Sequence, residues 1–343
     1  MRKLLNTLYV TTPDAYLSLD GENIVILKGE AELLRLPLHN IESIITFNYT
    51  GASPALMGAC AEKNIALTFM TQNGRFLARI TGEVKGNVTL RKAQYNLSNS
   101  DIESAKIAKN MIVGKIYNSK WMIERATRDH ALSLDVEKLK TVSKFLSNSI
   151  KYVSDSDNLE QIRGFEGEAA SQYFSVFDDL ILQQKEYFYF KGRNKRPPLD
   201  NVNAMLSFIY TLLVHDIGAA LETIGLDPYV GFLHKDRPGR ISLALDLMEE
   251  LRSIYADRFV IYLINMKIIN EKGFIQKENG AVIMDDATRK NILSAWQSRK
   301  QEEITHPFLN EKIEWGLVPY VQAMLLARFI RGDLDAYPPF LWK

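Results

Sequence analysis

The period of the hydrophobic pattern changes once along this chain, and that change limits the fold more than any other feature. Through about residue 85 the apolar runs are short: LNTLYVTT, AYLSLDG, NIVILKG, ELLRLPL, IESIITF, ALTFMTQ and FLARITG. They are rich in β-branched and aromatic residues and punctuated by Gly, Pro, Asp and Asn, the pattern of strands and turns. SPALMGACAEKNI interrupts them as a helix, with Ser53 as its cap and Pro54 at its first position. A small β-sandwich or β-barrel with one helix is expected, a docking or structural module with no active site of its own. From about residue 100 the period becomes 3.6. Ser100 and Glu103 form an S-x-x-E capping box ahead of the amphipathic run IAKNMIVGKIYNSKWMIERATR. Further helices are predicted near 135–153, 158–184, 200–224 with Asp200 as cap, 240–256, 258–271, 284–300 with Asp285 near its start, and 311–332. The fold class is α+β: a β-sandwich-like domain over residues 1–90 and a larger all-α domain over 91–343, divided within the stretch near 85–99. The closing DAYPPFLWK reads as a proline-terminated tail that packs through Phe340 and Trp342.

Composition removes several classes of function. With 343 residues, 46% of them hydrophobic, the chain can bury substantial cores. No run of about 18 apolar residues is seen, and MRKLLNTLYVTTPDAYLSLD turns polar too soon for a signal peptide. A cytoplasmic protein without a membrane role is expected. The single Cys60, in ALMGACAEKNIAL, excludes a disulfide framework and a cysteine zinc site within the chain, and is expected as a small buried residue. Forty-two Lys and Arg against 41 Asp and Glu leave a net charge of +1, so any nucleic acid must bind through local patches. KGRNKRPP at 191–198 is one such patch, with Arg237, Arg240 and Arg252 forming others. The P-loop, zincin helix, nucleophile elbow and strand-linked dinucleotide fingerprint are all missing, which argues against nucleotide-driven work, a nucleotide cofactor and serine chemistry.

The stretch GFLHKDRPGRISLALDLMEELR, residues 231–252, is the most chemically suggestive. His234 precedes a Pro-Gly turn, and Asp246 and Glu249, three apart on a helix, share a face among Leu243, Leu245, Leu247 and Met248. A carboxylate buried there needs a cation. The plainer alternative is that Glu249 and Glu250 make surface contacts while Asp246 pairs with Arg252 or Arg240. A second carboxylate, Glu166 in QIRGFEGEAASQYF, lies between Gly164 and Gly167 in a predicted helix. Each glycine costs about 1 kcal/mol relative to alanine, so close approach of a helix or a ligand is expected there. Glu166, His234 and Glu249 could converge as a mixed nitrogen and oxygen site suited to Mg²⁺ or Mn²⁺. His39, His130, His215 and His306 show no obvious partners.

RGFEGEAA at 163–170, KGRNKRPPLDNVNAMLSFIYTLL at 191–213 and GFLHKDRPGRISLALDLMEELR occur in that order, and LLARFIRGDLDAYPPFLW closes the chain. Together they closely resemble the CRISPR-associated integrase/endonuclease family that acquires spacers, most like its type I-C form. The resemblance implies a divalent-metal-dependent DNA endonuclease and integrase of antiviral defence. Such an enzyme inserts short foreign DNA into a CRISPR array by attack of a 3′-hydroxyl on repeat phosphodiesters. It implies Glu166, His234 and Glu249 as metal ligands for Mg²⁺ or Mn²⁺, with Asp246 in a supporting catalytic role. It further implies a dimer with an N-terminal β-domain, double-stranded protospacer and repeat DNA as substrates, and a heterohexamer with the small second adaptation protein. Arg193, Lys195, Arg196, Arg237, Arg240 and Arg252 become phosphate contacts on that reading. A general structure-specific nuclease for branched DNA and a non-catalytic DNA scaffold are the competing readings.

Overall fold

A computed structural model describes residues 6–47, 49–72, 74–80, 82 and 88–343, which fall into two compact units. The first is built on Met1–Lys85. Its strands are β1 (Thr7–Val10), β2 (Ala15–Asp20), β3 (Asn23–Lys28), β4 (Ala31–Pro37), β5 (Ser43–Thr46), β6 (Gly51–Ala52), β7 (Ala66–Met70) and β8 (Phe76–Ile80), with helix α1 (Pro54–Glu62) between β6 and β7. They form two four-stranded sheets, ordered β1-β5-β7-β8 and β4-β3-β2-β6. In the second, β2, β3 and β4 make an antiparallel meander, while β2 pairs β6 in parallel. Gly21 takes the left-handed conformation (φ 58°) that the tight turn from β2 to β3 requires. In the first sheet β5 runs parallel to both β1 and β7, and parallel neighbours need a crossover; α1 lies in the one that joins β5 to β7. Leu17, Ile24, Ile44, Leu56, Cys60 and Leu67, from both sheets and α1, share one buried cluster with Leu38 of the 3₁₀ turn after β4. Cys60 is the small core residue expected, its thiol pushed up to about 11 by burial.

The seven expected strands and α1 with its Ser53 cap are present, whereas two-residue β6 had too little sequence to register. The stretch read as a domain boundary does hold the change of unit, between Lys85 and Gly86, and it also contains helix α2 (Val88–Ser98), whose Leu90 and Gln94 are buried. Ser100 Oγ accepts from the Glu103 amide and opens α3 (Asp101–Asp129), but the capping box is half formed, because the Glu103 carboxylate turns to Lys106 Nζ at 2.7 Å. After α4 (Val136–Asp155) and α5 (Leu159–Ser175), Asp200 caps α6 (Asn201–Ile224). Helix α5 is shorter than the 158–184 expected and gives way to a 3₁₀ turn at Asp178–Leu180. Helices α7 (Ser242–Glu249) and α8 (Arg258–Asn265) are joined by a π-helical turn, Arg252–Asp257, in place of two separate helices ending at 256 and 271.

Strands β9 (Phe274–Gln276) and β10 (Val282–Met284) follow, then α9 (Asp286–Gln301), β11 (Glu303–Thr305), β12 (Lys312–Glu314) and α10 (Val318–Ile330). Residues beyond 90 are therefore helix-rich with short strands, not all-α. The second unit comprises Gly86–Ile283, Ile304–Ile313 and Val318–Lys343. Met284–Glu303 and Glu314–Leu317 belong with the first unit, where Lys300 Nζ on α9 donates to Thr7 Oγ1 on β1 at 3.2 Å. A linear split at residue 90 does not capture that return. Within the second unit α3 packs along α4 and α5 and against α7 and the π turn, so it is the helix on which the others are arranged. Helix α6 is apolar and long enough to cross a membrane by length and composition, a segment the sequence reading passed over, but 67% of its most apolar window is buried inside the protein.

Candidate active site

The carboxylates gather around α3. Glu166, in the middle of α5, accepts a hydrogen bond from Lys115 Nζ through Oε1, and Lys115 Nζ also stands 2.6 Å from Glu249 Oε2 at the end of α7. Lys115 therefore bridges the two carboxylates, and Glu249 Oε2 is buried with that ammonium as its close partner. Glu249 Oε1 lies 3.0 Å from Arg252 Nη2, one turn on. Burial opposes charge on Glu249, but Arg252 and Lys115 outweigh it and hold the carboxyl at about 2. The Glu166 side chain keeps 26% of its surface exposed against 4% for Glu249, so one carboxylate faces the opening and the other the interior.

His234 sits on the loop between α6 and α7, and Asp246 builds that loop. Asp246 is fully buried; its Oδ2 accepts the amides of Phe232 (2.6 Å) and Leu233 (2.9 Å), and its Oδ1 accepts the amide of His234 (3.0 Å) and meets His234 Nδ1 at 2.6 Å. Three backbone donors converging on one carboxylate compensate its burial. With the Nδ1 proton committed to Asp246, the lone pair of His234 is left on Nε2. Gly231 is required here, since a Cβ would come within 2.8 Å of Asp246 Oδ2 and of Ser242 Cβ. Arg163, one turn before Glu166, donates to Leu233 O from Nε (2.8 Å) and Nη2 (2.5 Å) and ties α5 to the histidine loop.

This geometry excludes the plainer reading. Asp246 pairs with a histidine and the backbone, not with Arg252 or Arg240, and Glu249 and Glu250 are buried, not surface residues. Glu250 instead anchors the C-terminal tail: its carboxylate accepts from the Tyr337 hydroxyl, Gln322 Nε2 (2.9 Å) and the Phe340 amide (2.8 Å). Burial raises its pKa to about 7 against those three donors. Asn118 Nδ2 donates to Glu250 O and Phe340 O, both at 2.7 Å. His306 is not partnerless but buried, between Gln322 Oε1 at Nε2 and the Leu309 amide at Nδ1. Phe340 packs fully, as expected, and Trp342 carries Arg125 and Arg258 over its ring.

Among the described residues, no three His, Cys, Asp or Glu side chains stand close enough to hold a metal ion in this conformation. Glu166 and Glu249 are brought together around an ammonium, and His234 lies within electrostatic reach of Glu249. The donor chemistry fits a hard divalent cation: two carboxylates already sharing one positive charge, and an imidazole fixed through Nδ1. The glycines beside Glu166 are not explained by a neighbouring helix, because a Cβ at Gly164 or Gly167 would meet nothing within 4 Å.

The six cations divide. Lys195, Arg196 and Arg237 are exposed and Arg240 is half-buried. Arg193 is spent internally on Asn194 O (2.7 Å), Asn203 Oδ1 (2.6 Å) and Ser207 Oγ (3.1 Å), and Arg252 on Glu249. Both guanidinium groups also lie over the Tyr210 ring, whose hydroxyl donates to Asp257. Lys115 and Arg163 were missed from sequence. The signal for Lys115 was a lysine on the buried stripe of α3, four residues from Met111 and from Ser119.

A sequence profile described as CRISPR associated protein Cas1 matches residues 8–298. A CRISPR-associated endonuclease Cas1 of Chlorobaculum tepidum is 51% identical over 343 residues, 100% of both chains. Among solved structures, a casposase bound to integration product superposes with a TM-score of 0.83 at 23% identity, covering 98% of this chain and 93% of that one. A Cas6-RT-Cas1–Cas2 complex superposes at 0.82 and 20% identity, covering 100% of this chain and 36% of that one. The chain belongs to the CRISPR-associated protein Cas1 family.

Proposed function

We propose that this chain is a divalent-metal-dependent DNA endonuclease and integrase that inserts short foreign DNA as spacers into a CRISPR array. The observation that carries the reading is the meeting of Glu166 and Glu249 on one cation, beside a histidine whose orientation Asp246 fixes. The endonuclease name of the 51% identical relative and the integration product in the casposase structure support the same chemistry. Glu166, His234 and Glu249 would hold Mg²⁺ or Mn²⁺. The bound cation would neutralise phosphoryl charge and lower the pKa of an attacking hydroxyl. Asp246 keeps the His234 proton on Nδ1 and the open lone pair on Nε2. Glu249 stays ionised across the working pH range because Arg252 and Lys115 hold its charge. Lys195, Arg196, Arg237 and Arg240 supply phosphate contacts. The incoming strand's 3′-hydroxyl is the nucleophile in joining and water in cleavage, so no nucleotide is consumed.

The partner is the small Cas2-type adaptation protein, in keeping with the Cas1–Cas2 complex among the structural relatives, in a heterohexamer of two Cas1 homodimers around a partner dimer. Exposed Leu33 and Leu34 on edge strand β4 are apolar surface suited to pairing two β-domains. The work takes place in the cytoplasm, within the type I-C form of the system. Labelled short duplex, a supercoiled repeat-bearing plasmid and the partner protein test the reading: covalent joining of label to plasmid is expected. Cleavage of branched DNA with no joining would favour a structure-specific nuclease.

A further inference from the structure

Lys115 occupies a place that packing alone does not explain. Its side chain is 11% exposed on the inward stripe of α3, and its ammonium touches Glu166 from α5 and Glu249 from α7 together. Two carboxylates held this close repel unless a cation lies between them. We propose that Lys115 is a built-in stand-in for the divalent cation: in the metal-free protein it holds Glu166 and Glu249 together, and it yields that place when metal binds. The inference rests on the reading of these two carboxylates as metal ligands.

Two features of the contact suit a group that must leave. The ammonium bridges one oxygen of each carboxylate, so its departure opens both of those oxygens together to a better partner. Lysine is also a point charge on a flexible stem, able to swing aside without dismantling anything. Arg252 differs: its planar guanidinium is fixed between Glu249 Oε1 at 3.0 Å and the Tyr210 ring at 5.3 Å, so it remains as a permanent neighbour of the site. Lys115 is therefore a positioning residue, acting through the two carboxylates and not on the DNA.

The sign of the consequence separates this role from a structural one. A lysine that merely supports the fold leaves metal binding unchanged or weakened when it is removed, whereas a competitor leaves it tighter. The test is titration of Mn²⁺ into the full-length protein, followed by calorimetry and by the Mn²⁺ electron paramagnetic resonance signal, for wild type, Lys115→Met and Lys115→Gln. Removing the competing ion pair is expected to lower the apparent Kd by about tenfold or more in both variants. Their metal-free melting temperatures should fall, and their rise on adding Mn²⁺ should exceed that of wild type. Variants that fold only when Mn²⁺ is present would support the inference equally. Equal or weaker Mn²⁺ binding by the folded variants, with wild type binding, would overturn the role of Lys115 alone. Absence of binding in all three would remove the metal reading itself and this inference with it.

Discussion

Asp246→Asn tests the histidine loop with the least change in shape. The substitution keeps the volume but replaces one acceptor oxygen by a donor NH₂. If the amide nitrogen takes the Oδ2 position it faces the amides of Phe232 and Leu233; if it takes the Oδ1 position it faces the His234 amide and Nδ1. In the first case two buried donors lose their acceptor; in the second the His234 amide does, while Nδ1 keeps a partner by giving up its proton. A buried hydrogen bond to a charged group contributes about 1.5–3 kcal/mol, so the loss is about 3–6 kcal/mol in the first case and about 1.5–3 kcal/mol in the second, and at least about 1.5 kcal/mol of unfolding free energy should disappear. The substitution also releases the tautomer of His234, and loss of such an outer partner typically weakens metal binding 10–100-fold. Urea unfolding and Mn²⁺ titration read the two effects separately. A variant within 0.5 kcal/mol of wild type by the first, on the order of a surface substitution, and unchanged by the second would refute the claim that Asp246 builds and orients this loop.

The cations should separate by their present partners: Arg237→Ala should weaken DNA binding and reduce the slope of log K against log salt by about 1 while leaving stability unchanged. Arg193→Ala, which strips three internal hydrogen bonds, should cost about 2 kcal/mol of stability, read by thermal or urea unfolding. For pH, Glu250 and Asp257 are raised by burial to about 7 and about 6, so the folded protein holds their protons more tightly than the unfolded chain. Their contribution is complete below about pH 4 and is lost as pH rises to about 7. Glu249 acts oppositely, its contribution present above about pH 4.5 and lost as pH falls toward about 2. Glu250→Gln should flatten the decline in stability between pH 5 and 7, measured by urea unfolding across that range; an unchanged slope would contradict the assignment.

The local rules were legible because they are written in neighbouring residues. Ser53, Ser100, Asp200 and Asp285 each cap the helix they precede, and short β-branched and aromatic runs between turn residues located β1 to β5, β7 and β8. Long-range choices were not. Nothing local says that α9 joins the β-rich unit, or that a π turn carries α7 into α8. At the site, Glu166, His234, Asp246 and Glu249 were found through the burial cost of carboxylates in apolar helices and through ordered motifs. Lys115, Arg163 and the tail-binding Glu250 were not, since each owes its role to a partner on another element. The glycines give the same lesson. Gly164 and Gly167 drew notice yet have open space around them, while Gly231 and Gly114, unremarked, stand against Asp246 and against Glu250 and Pro339.

The central claim is that this site joins DNA through a divalent cation held by Glu166, His234 and Glu249. Its most direct test is strand transfer of a labelled duplex into a repeat-bearing plasmid in Mg²⁺ or Mn²⁺, with Glu166→Ala and His234→Ala alongside and DNA affinity measured for each. The account predicts joining by wild type, its disappearance in EDTA, and at least about 100-fold loss in either variant with DNA affinity retained. Joining that survives EDTA, or that persists in both variants, would contradict it.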